Sequence, residues 1–213
     1  MKKYAVKEAF YTLQGEGANA GRPAVFCRFS GCNLWSGREE DRATATCRFC
    51  DTDFFGTNGE GGGQFSAVEL AQALDAKWPR TDSARSRKLA VLTGGEPLLQ
   101  VDDELVRELH AVGFELAVET NGTRKAPGGL DWICVSPKAG ADLVLREGHE
   151  MKLVFPQAGA EPERFENLPF QHFFIQPMDG PDLNRNSELA VRYCLEHPQW
   201  RLSIQTHKLL GIP

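Results

Sequence analysis

The chain has 213 residues, of which 41% are hydrophobic and 25% charged, and its formal net charge is −5. This length and composition predict one domain with a full hydrophobic core, and they exclude a disordered chain. Nucleic acid is not expected as a main partner, because binding a phosphate backbone needs a basic face and the Lys and Arg residues are scattered along this sequence. We therefore expect a small-molecule substrate.

The N-terminal stretch MKKYAVKEAFY contains two lysines but no apolar run behind them. No segment of the chain approaches the length of a membrane span. We therefore expect a cytoplasmic protein, in which thiols stay reduced and disulfides are not formed.

The first half of the chain predicts an N-terminal hairpin followed by alternating helices and strands. A weakly alternating strand covers 4–11 and a stronger one covers 24–29, with a turn at Q-G-E-G between them. Ser66 and Glu69 form a capping box for a helix that runs to about Lys77. The apolar face of this helix consists of Val68, Leu70, Leu74 and the alanines. The next elements are a solvated linker at 79–88, a strand at 89–92, a helix at 102–112 stopped by Gly113, and a strand at 114–119.

The second half predicts strands with fewer helices. Strands are expected at 130–135, 151–155, 173–175 and 201–204, a helix at 187–196, and then the tail QTHKLLGIP. Recurring strands with intermittent helices indicate a parallel α/β sheet. We predict an incomplete (β/α) barrel of about six parallel strands with few helices, plus the N-terminal hairpin and a C-terminal strand and tail. The chain is short for a full (β/α)8 barrel.

The glycine-rich run at 56–64 resembles a phosphate loop only superficially. It lacks the G-K-[ST] ending and does not follow a strand. We interpret it as a flexible connector.

Residues 31–57 contain three of the six cysteines, Cys32, Cys47 and Cys50. The C-x2-C pair allows two thiolates to face one metal centre, and Cys32 adds a third across a polar loop. Three thiolates would leave one iron of a four-iron cluster open to a small molecule. A structural zinc site is an equal alternative from the loop alone, although such a site normally needs a fourth ligand. A weaker alternative is that the three loop cysteines are inert thiols. The other three cysteines, Cys27, Cys134 and Cys194, lie in apolar patterns and are interpreted as small core residues.

Polar segments follow the apolar cores of six predicted strands. They are the cysteine loop, T-G-G-E-P, E-T-N, S-P-K, Q-P-M-D and Q-T-H. Because parallel strands place their carboxyl ends at one edge, we expect these segments to share a site there. Glu96 could receive a ligand's ammonium group. Arg28 should either pair with Glu16 or bind a substrate carboxylate, since burying it alone would be costly.

Together, C-x14-C-x-F-C and T-G-G-E-P at 93–97 resemble the radical S-adenosylmethionine enzymes, although these usually have a shorter C-x3-C-x2-C loop. Within that superfamily, Q-G-E-G at 14–17, F-C-D-T at 49–52 and S-P-K at 136–138 are similar to the 7-carboxy-7-deazaguanine synthases, some of which have expanded cluster loops. The resemblance covers most of the chain. It implies one radical S-adenosylmethionine core domain over 1–213, with a cluster-binding loop at 31–57 and a tail at 205–213 that closes the substrate pocket.

The resemblance also implies three cofactors: a [4Fe–4S] cluster, S-adenosylmethionine and Mg²⁺. The cluster ligands would be Cys32, Cys47 and Cys50, and the Mg²⁺ ligand would be Thr52. The S-adenosylmethionine site would comprise Phe49, Cys50, Asp51, Gly95, Glu96, Ser136, Pro137, Lys138, Gln176, Pro177, Met178 and Asp179. The substrate site would comprise Leu13, Gln14, Gly15, Glu16, Arg28, Thr93, Glu119, His207 and Pro213.

The reaction implied by the resemblance converts 6-carboxy-5,6,7,8-tetrahydropterin to 7-carboxy-7-deazaguanine with loss of ammonia, in queuosine-type 7-deazapurine biosynthesis. A 5′-deoxyadenosyl radical would remove hydrogen from C6 of the pterin. A flavodoxin- or ferredoxin-like electron donor and a homodimer are also expected. The alternatives are a glycyl-radical enzyme activase, which would share the cysteines and T-G-G-E-P, and a non-catalytic zinc-binding module.

Overall fold

The computed structural model describes residues 2–80 and 87–213. Most of the linker predicted at 79–88 lies outside the described residues. The chain begins with an antiparallel hairpin of β1 (Tyr4–Leu13) and β2 (Pro23–Phe29), and a short strand β3 (Gly63–Phe65) pairs with the outer edge of β1. The remaining elements, in chain order, are α1 (Ala67–Lys77), β4 (Lys88–Gly94), α2 (Asp103–Ala111), β5 (Phe114–Thr120), β6 (Trp132–Val135), β7 (Gly148–Phe155), β8 (Phe170–Pro177), α3 (Leu183–Glu196), β9 (Arg201–Leu202) and α4 (Thr206–Leu210).

One sheet contains all of these strands, in the order β3-β1-β2-β4-β5-β6-β7-β8-β9. From β2 to β9 every neighbouring pair is parallel. Within the described residues the sheet does not close on itself, because β3 and β9 lie at opposite ends of it. The predicted incomplete barrel of parallel strands with an N-terminal hairpin is therefore confirmed.

Helices α1, α2 and α3 cover the outer face of the sheet. The apolar sides of α1 and α2, including Leu74 and Leu109, pack with Cys27 and Leu116 of the strands in one continuous core. The second core lies under α3 and contains Ala190, Met151, Ile175 and Trp200. Side chains alternate between the two faces of a strand, so every second residue of these strands points to the opposite face, where it can contribute to a site.

Local signals predicted the first two helices well. Ser66 and Glu69 form the expected capping box on α1. Asp102 caps the N-terminus of α2 by accepting a hydrogen bond from the Leu105 backbone, and Gly113 follows the helix with a φ of 88°. The expectation that Val68 belongs to the apolar face of α1 is wrong, because its side chain is about half exposed.

Several boundaries differ from the sequence predictions: β7 starts at Gly148, before the predicted 151, and β8 spans Phe170–Pro177 instead of 173–175. The supposed flexible connector at 56–64 ends in β3, and its backbone is tied to β1 by hydrogen bonds from Gly59 to Lys7 and from Ala9 to Glu60. Helix α3 starts at Leu183, before the predicted 187, and β6 starts at Trp132, after the predicted 130.

The C-terminal tail differs most from expectation. Strand β9 ends at Leu202, so Ile204 is not in a strand, and the tail forms the short helix α4. Apolar residues such as these tail leucines are expected to pack, yet Leu209 and Leu210 are 75% and 65% exposed. None of the helices in the described parts of the chain is both long and apolar enough to cross a membrane.

Candidate active site

A cavity of about 410 Å³ lies at the carboxyl ends of the parallel strands. Its wall includes residues from the ends of β2, β4, β5, β6 and β8, from the cysteine loop and from the C-terminal tail. The expected meeting of these polar segments at one edge is therefore confirmed. This placement follows from parallel pairing, which brings the ends of neighbouring strands to the same rim.

Cys32, Cys47 and Cys50 all line this cavity. The expanded segment between Cys32 and Cys47 is folded, with a short 3-10 helix at Glu39–Thr44. The guanidinium of Arg42 lies 4.0 Å from the ring centre of Trp35 and donates hydrogen bonds to the backbone oxygens of Arg48 and Cys50. The inserted residues therefore support the turn that carries the C-x2-C pair.

The thiols differ in their acidity. A hydrogen bond from Cys47 lowers the pKa of Cys50 to about 6, and the same bond raises the pKa of Cys47 because it holds the shared proton. Burial raises the pKa of Cys32. Cys50 is therefore mainly a thiolate at neutral pH, and the half-buried ammonium of Lys138 provides positive charge near the pair.

These features fit a thiolate-bound cluster better than a single metal ion. No group of three or more His, Cys, Asp and Glu side chains in 2–80 and 87–213 is arranged to hold one metal ion. A four-iron cluster does not require such convergence, because each cysteine binds a different iron. Three thiols on the wall of the cavity, one of them ionised, are suitable ligands for a four-iron cluster.

The two glycines of T-G-G-E-P allow β4 to end directly against the cysteine loop. A Cβ at Gly95 would lie 2.1 Å from the backbone oxygen of Gly31, and one at Gly94 would lie 2.3 Å from that of Phe29. Gly94 also has a φ of 145°, which other residues rarely adopt. Any side chain at either position would push the strand end away from the loop.

The structure places the Glu96 carboxylate away from the cavity, so its role in receiving a ligand's ammonium stays a prediction. Glu96 is fully buried, outside the cavity wall. Its oxygens accept hydrogen bonds from the hydroxyl of Thr120 at 2.7 Å and from the backbone of Asn121 at 2.8 Å and Leu98 at 2.9 Å. Burial raises the pKa of Glu96. The side chain therefore joins the ends of β4 and β5 and shapes the backbone that faces the cavity.

Most of the other residues predicted for ligand binding line the cavity. The S-adenosylmethionine set does so except for Glu96, Pro137 and Met178. Thr52 and the complete predicted substrate set also line it: Leu13, Gln14, Gly15, Glu16, Arg28, Thr93, Glu119, His207 and Pro213. Burial lowers the pKa of His207, so its imidazole is neutral at neutral pH.

The partner of Arg28 differs from the one expected. Its Nε lies 2.7 Å from the carboxylate of Glu8 on the neighbouring strand, whereas Glu16 pairs with Lys152. The cross-strand pairing of Glu8 with Arg28 explains the contact. Arg28 still lines the cavity, so its guanidinium can also contact a ligand there.

Lys152 is a site residue that the sequence interpretation did not find. It sits inside β7 among core residues, with a side chain only 5% exposed, and its Nζ contacts both Glu16 and Glu119. A charged residue in the apolar stretch MKLVF was the available signal, because a buried lysine requires partners.

The C-terminal segment crosses the open side of the sheet between β9 and β1. The backbone and hydroxyl of Thr206 both donate to the backbone oxygen of Gly15, and Lys208 pairs with Asp51 and Asp179. The backbone oxygen of Pro213 accepts a hydrogen bond from Thr12 at 3.0 Å. The segment thereby completes the cavity wall.

An incomplete parallel barrel with three cysteines, a glycine-rich strand end and a polar cavity at its carboxyl edge defines a radical S-adenosylmethionine enzyme. No protein-family model matches the chain. The curated 7-carboxy-7-deazaguanine synthase of Bradyrhizobium diazoefficiens is 67% identical over 210 residues, covering 98% of this chain and 99% of that protein. The one from Caulobacter vibrioides is 64% identical over 211 residues, with 99% of each chain covered.

The chain therefore belongs to the 7-carboxy-7-deazaguanine synthase family, whose members are lyase-type radical S-adenosylmethionine enzymes. The fold agrees with this placement, since a crystal structure of QueE from Escherichia coli superimposes with a TM-score of 0.67 at 24% identity, covering 95% of this chain and 94% of that one. Family membership implies a [4Fe–4S] cluster and S-adenosylmethionine.

Proposed function

We propose that this enzyme converts 6-carboxy-5,6,7,8-tetrahydropterin to 7-carboxy-7-deazaguanine with loss of ammonia, as a step in queuosine-type 7-deazapurine biosynthesis. The observation that carries the proposal is the shared cavity, which joins the three cysteines to the complete predicted substrate set. Its chemistry suits such a substrate: Glu16 and Glu119 can accept hydrogen bonds from a donor-rich pyrimidine edge, and Arg28 can face a carboxylate.

In this proposal Cys32, Cys47 and Cys50 hold the cluster, whose fourth iron is left for S-adenosylmethionine. When bound and given one electron by the donor protein, these two groups would supply the radical chemistry that abstracts hydrogen from the substrate. The backbone near Gly95, the S-P-K segment with Lys138 and the Q-P-M-D segment with Asp179 would position S-adenosylmethionine. The chain's own contribution is to hold both molecules in one cavity while the tail excludes water.

We infer that the hydroxyl of Thr52 is the protein's ligand for Mg²⁺, since Thr52 lines the cavity two residues after Cys50. Mg²⁺ prefers oxygen ligands and is commonly coordinated by substrate oxygens, so a single protein ligand is chemically adequate. We expect Mg²⁺ to raise turnover in the wild type and Thr52→Ala to blunt this response. An enzyme that is indifferent to chelation after thorough metal removal would remove Thr52 from this role.

We further propose one core domain over 1–213, with a cluster loop at 31–57 and a closing tail at 205–213, working in the cytoplasm with a flavodoxin- or ferredoxin-like electron donor. We propose a homodimer as well: Val191 and Leu195 lie one turn apart on α3 at 42% and 80% exposure, which gives this helix an apolar outer face. Surfaces of this kind commonly mark protein contacts. Sedimentation of the purified enzyme would test the dimer.

Anaerobic purification tests the cluster. We expect a brown protein with about four irons per chain that, once reduced and given S-adenosylmethionine, turns over the carboxytetrahydropterin. A colourless protein with one zinc, or a brown protein that leaves this pterin unchanged, would refute the proposal.

Cysteine variants test the ligand set. Cys32→Ala should lose iron and activity, because the cluster loses one of its three ligands. Cys194→Ala is a matched control, since Cys194 is a free thiol outside the cavity, and it should keep both. Full iron content in the Cys32→Ala protein would exclude Cys32 from the cluster.

A further inference from the structure

Lys152 is a buried cation on the wall of the cavity, in the middle of β7. Its side chain is 5% exposed, and its Nζ lies 2.7 Å from Glu16 and 2.9 Å from Glu119. These partners come from different parts of the fold, the turn after β1 and the end of β5. One ammonium group therefore connects two carboxylates that are far apart in the sequence.

Each carboxylate also has a second partner. Glu16 accepts a hydrogen bond from Gln205 of the tail at 2.9 Å, and Glu119 accepts one from Gln14 at 3.2 Å. Both carboxylates line the cavity while one oxygen of each is held by Lys152. Their orientation is therefore fixed from behind, by a residue that sits deeper in the sheet.

The surrounding charges show what Lys152 maintains. Burial raises the pKa of Glu119, and Glu150 and Glu16 act in the same direction, whereas Lys152 opposes the rise. Partial burial also acts to raise the pKa of Glu16, but the ammonium of Lys152, with smaller contributions from Gln205 and His207, leaves this pKa below its ordinary value. Without the ammonium, the two carboxylates would repel each other in a poorly solvated wall, and one would take up a proton.

We propose that Lys152 is a positioning residue for substrate specificity, which holds Glu16 and Glu119 as two separated acceptors for a ligand edge rich in N–H donors. This inference rests on the proposed function, which supplies a substrate and a product that share the aminopyrimidinone edge. A protonated carboxylate would present a donor to that edge in place of an acceptor, and the match would be lost. Lys152 acts through the two carboxylates and has no chemical step of its own.

The test is binding of the product, 7-carboxy-7-deazaguanine, to the cluster-loaded enzyme by titration calorimetry, together with KM and kcat. Lys152→Met should weaken product binding and raise KM by about tenfold or more, since a charge-supported pair of acceptors is lost. Iron content should not change, because Lys152 contacts none of the three cysteines of the loop. Lys88→Met is a matched control, because Lys88 is a partly buried lysine paired with Asp75 away from the cavity, and it should bind product normally.

A second comparison keeps the test decisive if Lys152→Met alone folds poorly. Glu119→Gln together with Lys152→Met removes one charge of each sign. We expect it to bind product more weakly than Glu119→Gln alone, because Glu16 still loses its cation, but by less than the product of the two single losses, because Glu119 no longer depends on Lys152. Wild-type affinity in Lys152→Met, or losses that multiply in the double variant, would overturn the inference. If the wild type itself neither binds the product nor turns over the pterin, the proposed function fails instead.

Discussion

Substituting Gly15 by alanine should displace His207 from the cavity wall. A Cβ at Gly15 would lie 2.2 Å from Nδ1 of His207, 2.9 Å from Cγ and 3.0 Å from its Cβ. Non-bonded heavy atoms prefer about 3.5–4 Å, so the ring has to move by more than about 1 Å. The backbone of Gly15 cannot easily yield, because its carbonyl oxygen already accepts two hydrogen bonds from Thr206.

The expected loss of product affinity follows from the hydrogen bond that we propose between His207 and the ligand. A hydrogen bond removed from a buried partner costs about 1–3 kcal/mol, and about 1.4 kcal/mol corresponds to a tenfold change in affinity. We therefore expect Gly15→Ala to weaken product binding, and to raise KM, by about tenfold. His207→Ala should have a similar effect for the same reason.

The double variant gives the strongest check, measured by product titration on cluster-loaded enzyme. If Gly15→Ala acts only by moving the ring, adding it to His207→Ala should change affinity little, because there is no ring left to displace. Gly128→Ala is a suitable control, since nothing lies within 4 Å of the added carbon there and its φ is not positive. Multiplicative losses, or normal affinity in Gly15→Ala, would refute this reasoning.

Three further predictions concern the tail, the thiols and the core. Adding residues after Pro213 should weaken product binding at least tenfold, about 1.4 kcal/mol, because Pro213 lines the cavity. Cluster content should stay intact. A tagged enzyme with full affinity would show that the tail is only a lid. In cluster-free protein, alkylation of Cys50 should rise as pH increases through about 6, because its lowered pKa makes the thiolate the major form above that value. Cys47→Ala should shift that midpoint upward, and an unchanged midpoint would exclude the hydrogen bond as its cause. Leu109→Ala in the first core should lower the free energy of unfolding by about 2–5 kcal/mol in denaturant titrations, and a change below about 1 kcal/mol would mean that the core repacks.

Elements with local signals were predictable from the sequence. The capping box of α1 and the cap of α2 are satisfied within three residues of chain, so tertiary context has little to decide. The hairpin and the parallel strands were also found, because their apolar cores are continuous runs. Edge features were less predictable: β3 exists because β1 offers it an unpaired edge, which no pattern in the glycine-rich run reveals.

In the site, too, features with a local signal were predictable and features that depend on tertiary contacts were not. Residue types and spacing within short segments indicated the three cysteines and the strand-end motifs. The buried position of the Glu96 carboxylate was not predicted because its partner Thr120 comes from β5. The partner of Arg28 was misjudged because the register of β1 against β2 places Glu8 beside it.

The sequence by itself determined which chemical groups are available and, through parallel pairing, that they meet at one edge of the sheet. Only the tertiary structure decided which carboxylate faces which cation. Lys152 and Glu16 are 136 residues apart, and Gln205 reaches Glu16 from a distance of 189 residues along the chain. Such pairs depend on the order of strands in the sheet and on the path of the tail across its open side, and neither is encoded in any local pattern of residues.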